Sequence, residues 1–153
     1  MPGIDEKDIE MLKILRREGR ITLTELGKRV NLSPASVKNR LEKLEKLGAV
    51  KGYSAVVDPA FLGNYVKILF LIKLRVEGRD IDRILQSIAS SSEVQSLYRT
   101  SGRTQAVIIA EFKDMDSMKE FASRLKRSLG TTLEYIEWSV VYEAPKECWV
   151  ERG

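Results

Sequence analysis

The chain has 153 residues, of which 43% are hydrophobic, and this is enough to form the core of one ordinary domain or of two small ones. Its formal net charge of +4 permits a polyanionic partner without requiring one. The sequence contains no histidine and a single cysteine, Cys148. Zinc sites of the Cys/His kind, catalysis by a histidine base and an intramolecular disulfide are therefore excluded.

The N-terminal segment lacks the basic start and apolar core of a signal peptide. The longest strongly apolar run, residues 68–72, is too short to cross a membrane. We therefore expect a cytoplasmic protein without a membrane partner. The basic surplus is concentrated in residues 1–63, where 12 basic and 9 acidic residues give +3, whereas residues 64–153 give +1.

Three helices are predicted at the start of the chain. The first covers residues 5–17 and ends before Gly19. A short second helix, capped by Thr22 or Thr24, runs to Asn31. These helices and the one that follows share one core, for which we predict Ile9, Leu12, Leu15, Ile21, Leu26, Val30, Leu32, Val37, Leu41 and Leu44.

The third helix has the strongest start signal in the sequence. Ser33 can accept a hydrogen bond from an unpaired backbone N–H, and Pro34 needs no donor at the first helical position. Apolar residues then recur at helical spacing until Gly48, which is suited to a left-handed C-terminal cap. Two helices joined by a tight turn, with no acidic residue from Ser33 through Leu41, favour a helix-turn-helix that binds double-stranded DNA.

The polar face of this third helix supplies the predicted DNA contacts. Asn39 can form paired hydrogen bonds with adenine and Arg40 with guanine. A solvated amphipathic helix is the alternative for the whole face, and Arg40 could instead pair with a phosphate or a neighbouring acidic side chain. The predicted DNA-binding residues are Ser33, Pro34, Ala35, Ser36, Lys38, Asn39, Arg40 and Lys43.

The segment after this motif separates the helical N-terminal part of the chain from a part with a different, strand-rich pattern. Residues 50–57 are β-prone and predict a short wing or a connecting strand, which Asp58-Pro59 ends. We predict a helix-turn-helix domain over residues 1–50, a linker strand or hinge over 51–64, and a second domain over 65–153.

The second domain alternates strands and helices. Strands are predicted over residues 65–76, 94–101, 105–112 and 133–143, with an additional edge around residues 148–150. Helices are predicted over residues 81–90 and from Asp116 or Ser117 to Gly130. The order βαββαβ indicates a ferredoxin-like domain, so the fold class of the whole chain is α+β.

Both faces of the first strand of this domain are apolar. Ile68, Phe70 and Ile72 are predicted on one side, and Leu69, Leu71 and Leu74 mainly on the other. Because two helices cover only one face of the sheet, a second copy of the chain is the simplest cover for the other face. A two-fold dimer would place two recognition helices on one side of the DNA.

The N-terminal pattern resembles the DNA-binding half of the Lrp/AsnC family, the feast/famine regulatory proteins. It includes Asp5, Gly19-Arg20, Leu32-Ser33, Arg40-Leu41 and Gly48, together with Asp58-Pro59 and Leu62-Gly63. Residues 65–143 are similar to the effector-binding and oligomerisation half of that family, the RAM domain. The resemblance implies a homodimer that can assemble into an octamer, and a small-molecule effector, commonly an amino acid, with no cofactor.

The resemblance also implies an effector site, and this chain departs from its usual pattern there. The family usually carries Gly-x-x-Asp at a turn where this chain has Gly102-Arg103-Thr104-Gln105. A neutral amide cannot give an α-ammonium a charge-assisted hydrogen bond, so the ligand is either changed or absent. The residues that match the effector pocket are Gly102, Arg103, Thr104, Gln105, Ser139 and Val140.

The leading interpretation is therefore a sequence-specific transcriptional regulator that responds to an amino acid or related metabolite. Alternatives are an architectural DNA-binding protein without an effector and a ligand-sensing module that does not bind DNA. An enzyme is disfavoured because no histidine, metal cluster or phosphate loop is present. An RNA-binding sheet is disfavoured because Tyr98 is the only candidate for an exposed aromatic on the central strands.

Overall fold

The computed structural model describes residues 3–75 and 79–145. It divides into two compact units, one with the residues up to Val56 and one with Val57–Ala144. The division falls inside the predicted linker. The edge segment predicted around residues 148–150 lies outside the described residues, as does Cys148. Within the described ranges, no helix is both long and apolar enough to cross a membrane.

The first unit is built from α1 (Glu6–Leu15), α2 (Leu23–Val30) and α3 (Pro34–Lys46). Each helix begins at a side-chain cap, because Asp5, Thr22 and Ser33 accept hydrogen bonds from the backbone N–H three residues ahead. Asp5 and Asp8 form a complete capping box. The fully buried core residues are Met11, Leu26, Val30, Val37 and Leu44.

The predicted core face of α1 was partly wrong. Ile9 is 46% exposed, whereas Met11 and Asp8 are completely buried. The buried stripe runs through Ile4, Asp8, Met11 and Leu15, at spacings of four, three and four residues. A carboxylate, Asp8, occupies the centre of this stripe, whereas Leu12 and Leu15 pack against the core as predicted.

The strand or wing predicted over residues 50–57 was also wrong. Residues 51–58 form neither helix nor strand, and Tyr53, Val56 and Val57 are about half exposed. β-prone residues form a strand only when another strand accepts their backbone hydrogen bonds, and none of the described residues does so here. A 3-10 helix, Pro59–Leu62, follows and is capped by Asp58.

The second unit has the predicted βαββαβ order. Its strands are β1 (Val66–Leu74), β2 (Val94–Arg99), β3 (Ala106–Phe112) and β4 (Leu133–Val141). They form one antiparallel sheet in the order β2-β3-β1-β4. Its helices are α4 (Arg79–Ala89) and α5 (Met115–Leu129). The latter begins one to two residues before the prediction, because Asp114 rather than Asp116 caps it and the capped N–H belongs to Ser117.

The core of the second unit lies between its sheet and its two helices. Phe70, Phe112 and Phe121 meet there at ring-centroid distances of 5.3 to 6.3 Å. Leu74 belongs to this core and not to the opposite face, as alternation from Ile72 requires. The other sheet face carries Leu69, Leu71, Val107 and Ile109, all of intermediate exposure.

Candidate DNA-binding helix and effector turn

The start of α3 is held by its own side chains. The Ser33 hydroxyl accepts a hydrogen bond from the Ser36 N–H at 3.2 Å and donates to the Ser36 hydroxyl at 3.0 Å. Pro34 at the first helical position has no N–H to satisfy. Small side chains and a fixed backbone let this end of the helix approach another surface closely.

The outer face of α3 is exposed and polar. Ala35, Lys38 and Asn39 are exposed, and the Lys38 side chain is 65% accessible. Its ammonium lies 4.0 Å from Glu42, at the limit of an ion pair. Glu42 and Glu45 lie in the C-terminal half of the helix, so the exposed residues between Ser33 and Asn39 include no carboxylate. This half is the part that suits a DNA groove.

Arg40 and Lys43 of α3 make ion pairs with carboxylates of α1. Arg40 donates to Asp5 at 2.6 Å and to Asp8 at 2.8 Å, and Lys43 donates to the other oxygen of Asp8 at 2.9 Å. The Lys43 side chain is nevertheless 43% accessible, and its position on α3 is one helical turn from Asn39. For Arg40, the structure shows the acidic partner that the sequence left as an alternative. In both cases the buried carboxylate of Asp8 draws the cation toward α1.

The Asp8 carboxylate is charged despite its burial. Burial alone would raise its pKa, but hydrogen bonds from Lys43 and Arg40 outweigh that effect and lower the pKa from 3.8 to about 2. The hydrogen bond with Arg40 likewise lowers the pKa of Asp5, and the hydrogen bonds with Asp5 and Asp8 raise the pKa of Arg40. Asp5, Asp8 and Arg40 are therefore ionised near neutral pH.

Sequence reasoning missed Asp8, although a signal was present. An acidic residue on the apolar stripe of one helix must be paired if it is buried. Two basic residues three positions apart on the next long helix, Arg40 and Lys43, are natural partners for its two oxygens.

The turn between α2 and α3 depends on a glycine. A Cβ on Gly27 would lie 2.5 Å from the carbonyl oxygen of Leu32, closer than real Cβ atoms come. The Leu32 N–H in turn donates to the Gly27 carbonyl at 2.9 Å. This close approach brings the start of α3 against α2.

The Gly102 turn between β2 and β3 is closed by hydrogen bonds of its own. Gly102 has a φ of +110°, which favours glycine. The Gln105 amide oxygen accepts from the Leu74 N–H at 2.9 Å, and its nitrogen donates to the Gly102 carbonyl at 3.1 Å. Thr100 donates to the carbonyl of Thr104 at 2.8 Å. The amide oxygen and one amide N–H of Gln105 are therefore already hydrogen-bonded within the chain.

Within one chain, the predicted effector residues fall into two groups. Gly102 and Arg103 are exposed, and Thr104 and Gln105 partly so, at the end of the sheet next to Ala106. Ser139 pairs with Leu69, and Leu69 pairs with Ile109, three residues along β3 from Ala106. This register separates the groups by roughly 10 Å along the strands and roughly 10 Å across them. Val140 lies on the opposite face from Ser139.

Residues 4–51 match the family model of winged helix-turn-helix DNA-binding domains, and residues 69–148 match that of the Lrp/AsnC ligand binding domain. An uncharacterized HTH-type transcriptional regulator of Pyrococcus furiosus is 41% identical over 149 residues, which is 96% of each chain. One of Pyrococcus horikoshii is 43% identical over 152 residues, which is 98% of each chain. A Neisseria meningitidis transcriptional regulator, solved as an L-Met complex, superposes with a TM-score of 0.80 at 28% identity, covering 95% of this chain and 94% of that one.

The fold, the outer face of α3 and these matches define a DNA-binding transcriptional regulator of the helix-turn-helix class. The chain belongs to the Lrp/AsnC family. The resemblance in the sequence and the predicted α+β fold class are thus confirmed.

Proposed function

We propose that α3 enters the major groove of duplex DNA with its N-terminal half and reads base edges there. Asn39 contacts bases, Ala35 and Ser36 allow close approach, and Ser33, Pro34 and Lys38 lie along the phosphates. The observation that carries this proposal is the exposed, carboxylate-free face from Ser33 to Asn39. Arg40 and Lys43, also predicted as DNA contacts, are held in ion pairs with Asp8, and their part in binding is to support α3.

The test compares two exposed residues of α3. Asn39→Ala should weaken binding to a selected duplex by about 1 to 3 kcal/mol, and the loss should be confined to particular base positions. Lys38→Gln should weaken binding to every duplex and reduce the salt slope by about one. Fluorescence anisotropy on duplexes with single base changes distinguishes the two patterns. A uniform loss with Asn39→Ala would remove its proposed role.

We propose that the protein is a homodimer, with the open sheet face as its interface. Leu69, Leu71, Val107 and Ile109 form an apolar centre on that face, and Lys67–Glu111 forms an ion pair beside it at 3.1 Å. A two-fold pairing of this face buries the apolar centre of both copies. An octamer would be a further assembly of such dimers, and the regulator would act in the cytoplasm without catalysing a reaction.

We propose that an amino acid or related metabolite binds near the Gly102 turn and alters DNA affinity. Two observations support it: the ligand-binding family model covers this region, and the Neisseria structure is an L-Met complex. Arg103 has no ion-pair partner among the described residues and can pair with a ligand carboxylate. Because Ser139 and Val140 lie far from the turn in one chain, the complete pocket would need a second subunit.

A second candidate function is an architectural DNA-binding protein without an effector, which the closed hydrogen bonds of Gln105 favour. Thermal shift against the twenty amino acids separates the two. A ligand at a hundredfold excess over its Kd stabilises the protein by about 2.7 kcal/mol. A shift that disappears with Arg103→Gln would support the effector, whereas no shift with any amino acid would support the architectural role.

A further inference from the structure

The ion pairs between α1 and α3 link two helices that otherwise pack mainly against α2. Asp8 is completely buried, and its two oxygens accept hydrogen bonds from Arg40 at 2.8 Å and from Lys43 at 2.9 Å. Asp5 adds a second contact to Arg40 at 2.6 Å. We call these four residues the Asp8 clamp.

The geometry of the Asp8 clamp fixes the rotation of α3 about its axis. Arg40 and Lys43 lie three residues apart on the same side of the helix, and each donates to a different oxygen of one carboxylate. A rotation of roughly 20° would move an outer side chain such as Asn39 by roughly 2 Å, given a helix radius of roughly 5 to 6 Å with side chains. Such a shift exceeds the tolerance of a hydrogen bond to a base edge.

The Asp8 clamp also pairs the positive charges of Arg40 and Lys43 with carboxylates of the protein, which leaves them less available to DNA phosphates. A cation released near a groove would neutralise a phosphate in any sequence, and each such contact steepens the salt dependence of binding by about one. Contacts of this kind raise nonspecific affinity without adding base recognition.

We propose that Asp8 is a positioning residue for sequence recognition, which orients α3 and keeps Lys43 and Arg40 off the phosphate backbone. The ratio of specific to nonspecific DNA affinity is then set by a carboxylate on α1 that never touches DNA. This inference rests on the proposed reading of bases by α3.

The first test uses the full-length protein, a duplex selected from a random library by the wild type, and a shuffled duplex of the same composition. Asp8→Asn should lower the specific-to-nonspecific ratio by about tenfold or more. Its nonspecific binding should be retained, with a salt slope steeper by about one as Lys43 is released. The matched control is Glu10→Gln, which removes the same charge from an exposed ion pair with Lys7 on α1 and should leave the ratio unchanged.

A merely structural role predicts a different result. If Asp8→Asn only reduced the folded fraction, specific and nonspecific affinity would fall together and the ratio would stay constant. Circular dichroism at the assay temperature measures that fraction. An unchanged ratio in a folded Asp8→Asn protein would overturn the inference.

A second pair of variants keeps the inference testable if Asp8→Asn fails to fold. Lys43→Gln breaks half of the clamp at a partly exposed position and should lower the ratio without changing the nonspecific salt slope. Lys46→Gln removes the same charge from the same helix, at an exposed position, and should leave the ratio unchanged. Equal ratios in these two variants would refute the positioning role. A wild type that selects no sequence would instead refute the base reading on which the inference depends.

Discussion

Replacing Gly27 by alanine sets two opposing effects against each other. Gly27 lies inside α2, where alanine favours the helix by about 1 kcal/mol. The new Cβ, however, would lie 2.5 Å from the backbone oxygen of Leu32, which must move by nearly 1 Å to reach ordinary contact. Overpacking of this kind costs about 1 to 3 kcal/mol, and the atom in the way is backbone rather than a flexible side chain.

The clash should therefore prevail, and we expect Gly27→Ala to destabilise the first unit by about 1 to 2 kcal/mol. For a unit of this size the melting temperature should fall by about 5 to 15 °C. DNA binding should weaken as well, since the displaced Leu32 directly precedes the capped start of α3.

Hydrogen exchange of peptides from α2 and α3, together with far-UV circular dichroism, measures the effect directly. Gly19→Ala is the control: its Cβ would meet only the Leu15 carbonyl oxygen, at 3.9 Å, and its stability change should stay within about 0.5 kcal/mol. A Gly27→Ala protein as stable as the wild type would show that the close approach does not define the turn.

Two further predictions concern the dimer interface and the stability of the fold at low pH. Ile109→Lys, at the centre of the open sheet face, should convert the dimer to a monomer in analytical ultracentrifugation, because the interface would bury an unpaired charge. Ser123→Lys, on the exposed side of α5, is the control and should remain a dimer. An Ile109→Lys dimer would disprove that interface. The folded-state pKa of Asp8 lies below its unfolded value of 3.8, so its charged form stabilises the fold above that pH. About 2 kcal/mol of this stabilisation should be lost as the pH falls from about 4 to about 2. Urea unfolding should show this loss of unfolding free energy in the wild type but not in Asp8→Asn. An equal loss in both proteins would contradict the pairing of Asp8 with Arg40 and Lys43.

The architecture was predictable because local signals and periodicity agree in most of the helices and strands. Ser33-Pro34 starts α3 where the capping rule places it, and the βαββαβ order follows from alternation in the strands, periodicity in the helices and the glycines at positions 102 and 130. The failures occurred where tertiary partners override local pattern. Asp8 is buried because Arg40 and Lys43 pair with it, and the pattern of a single helix does not contain that information.

The predicted effector site likewise depends on contacts between distant residues, which the sequence pattern does not predict. The sequence identifies the turn, the glycine and the departure at position 105. It does not reveal that Gln105 bonds across to Leu74, because that contact joins residues 31 positions apart. Nor does it show that Ser139 lies two strands away from the turn. Such long-range contacts depend on register, which the pattern of one strand leaves open.

If α3 reads the sequence of duplex DNA, the protein should select particular sequences from a randomised duplex library. We expect enrichment of a two-fold symmetric sequence with half-sites about one helical turn apart, bound roughly a thousandfold or more tighter than its shuffled version. The preference should diminish when Asn39 is replaced by alanine. If no sequence is enriched, or if the selected and shuffled duplexes bind equally at every salt concentration, α3 does not read the DNA sequence.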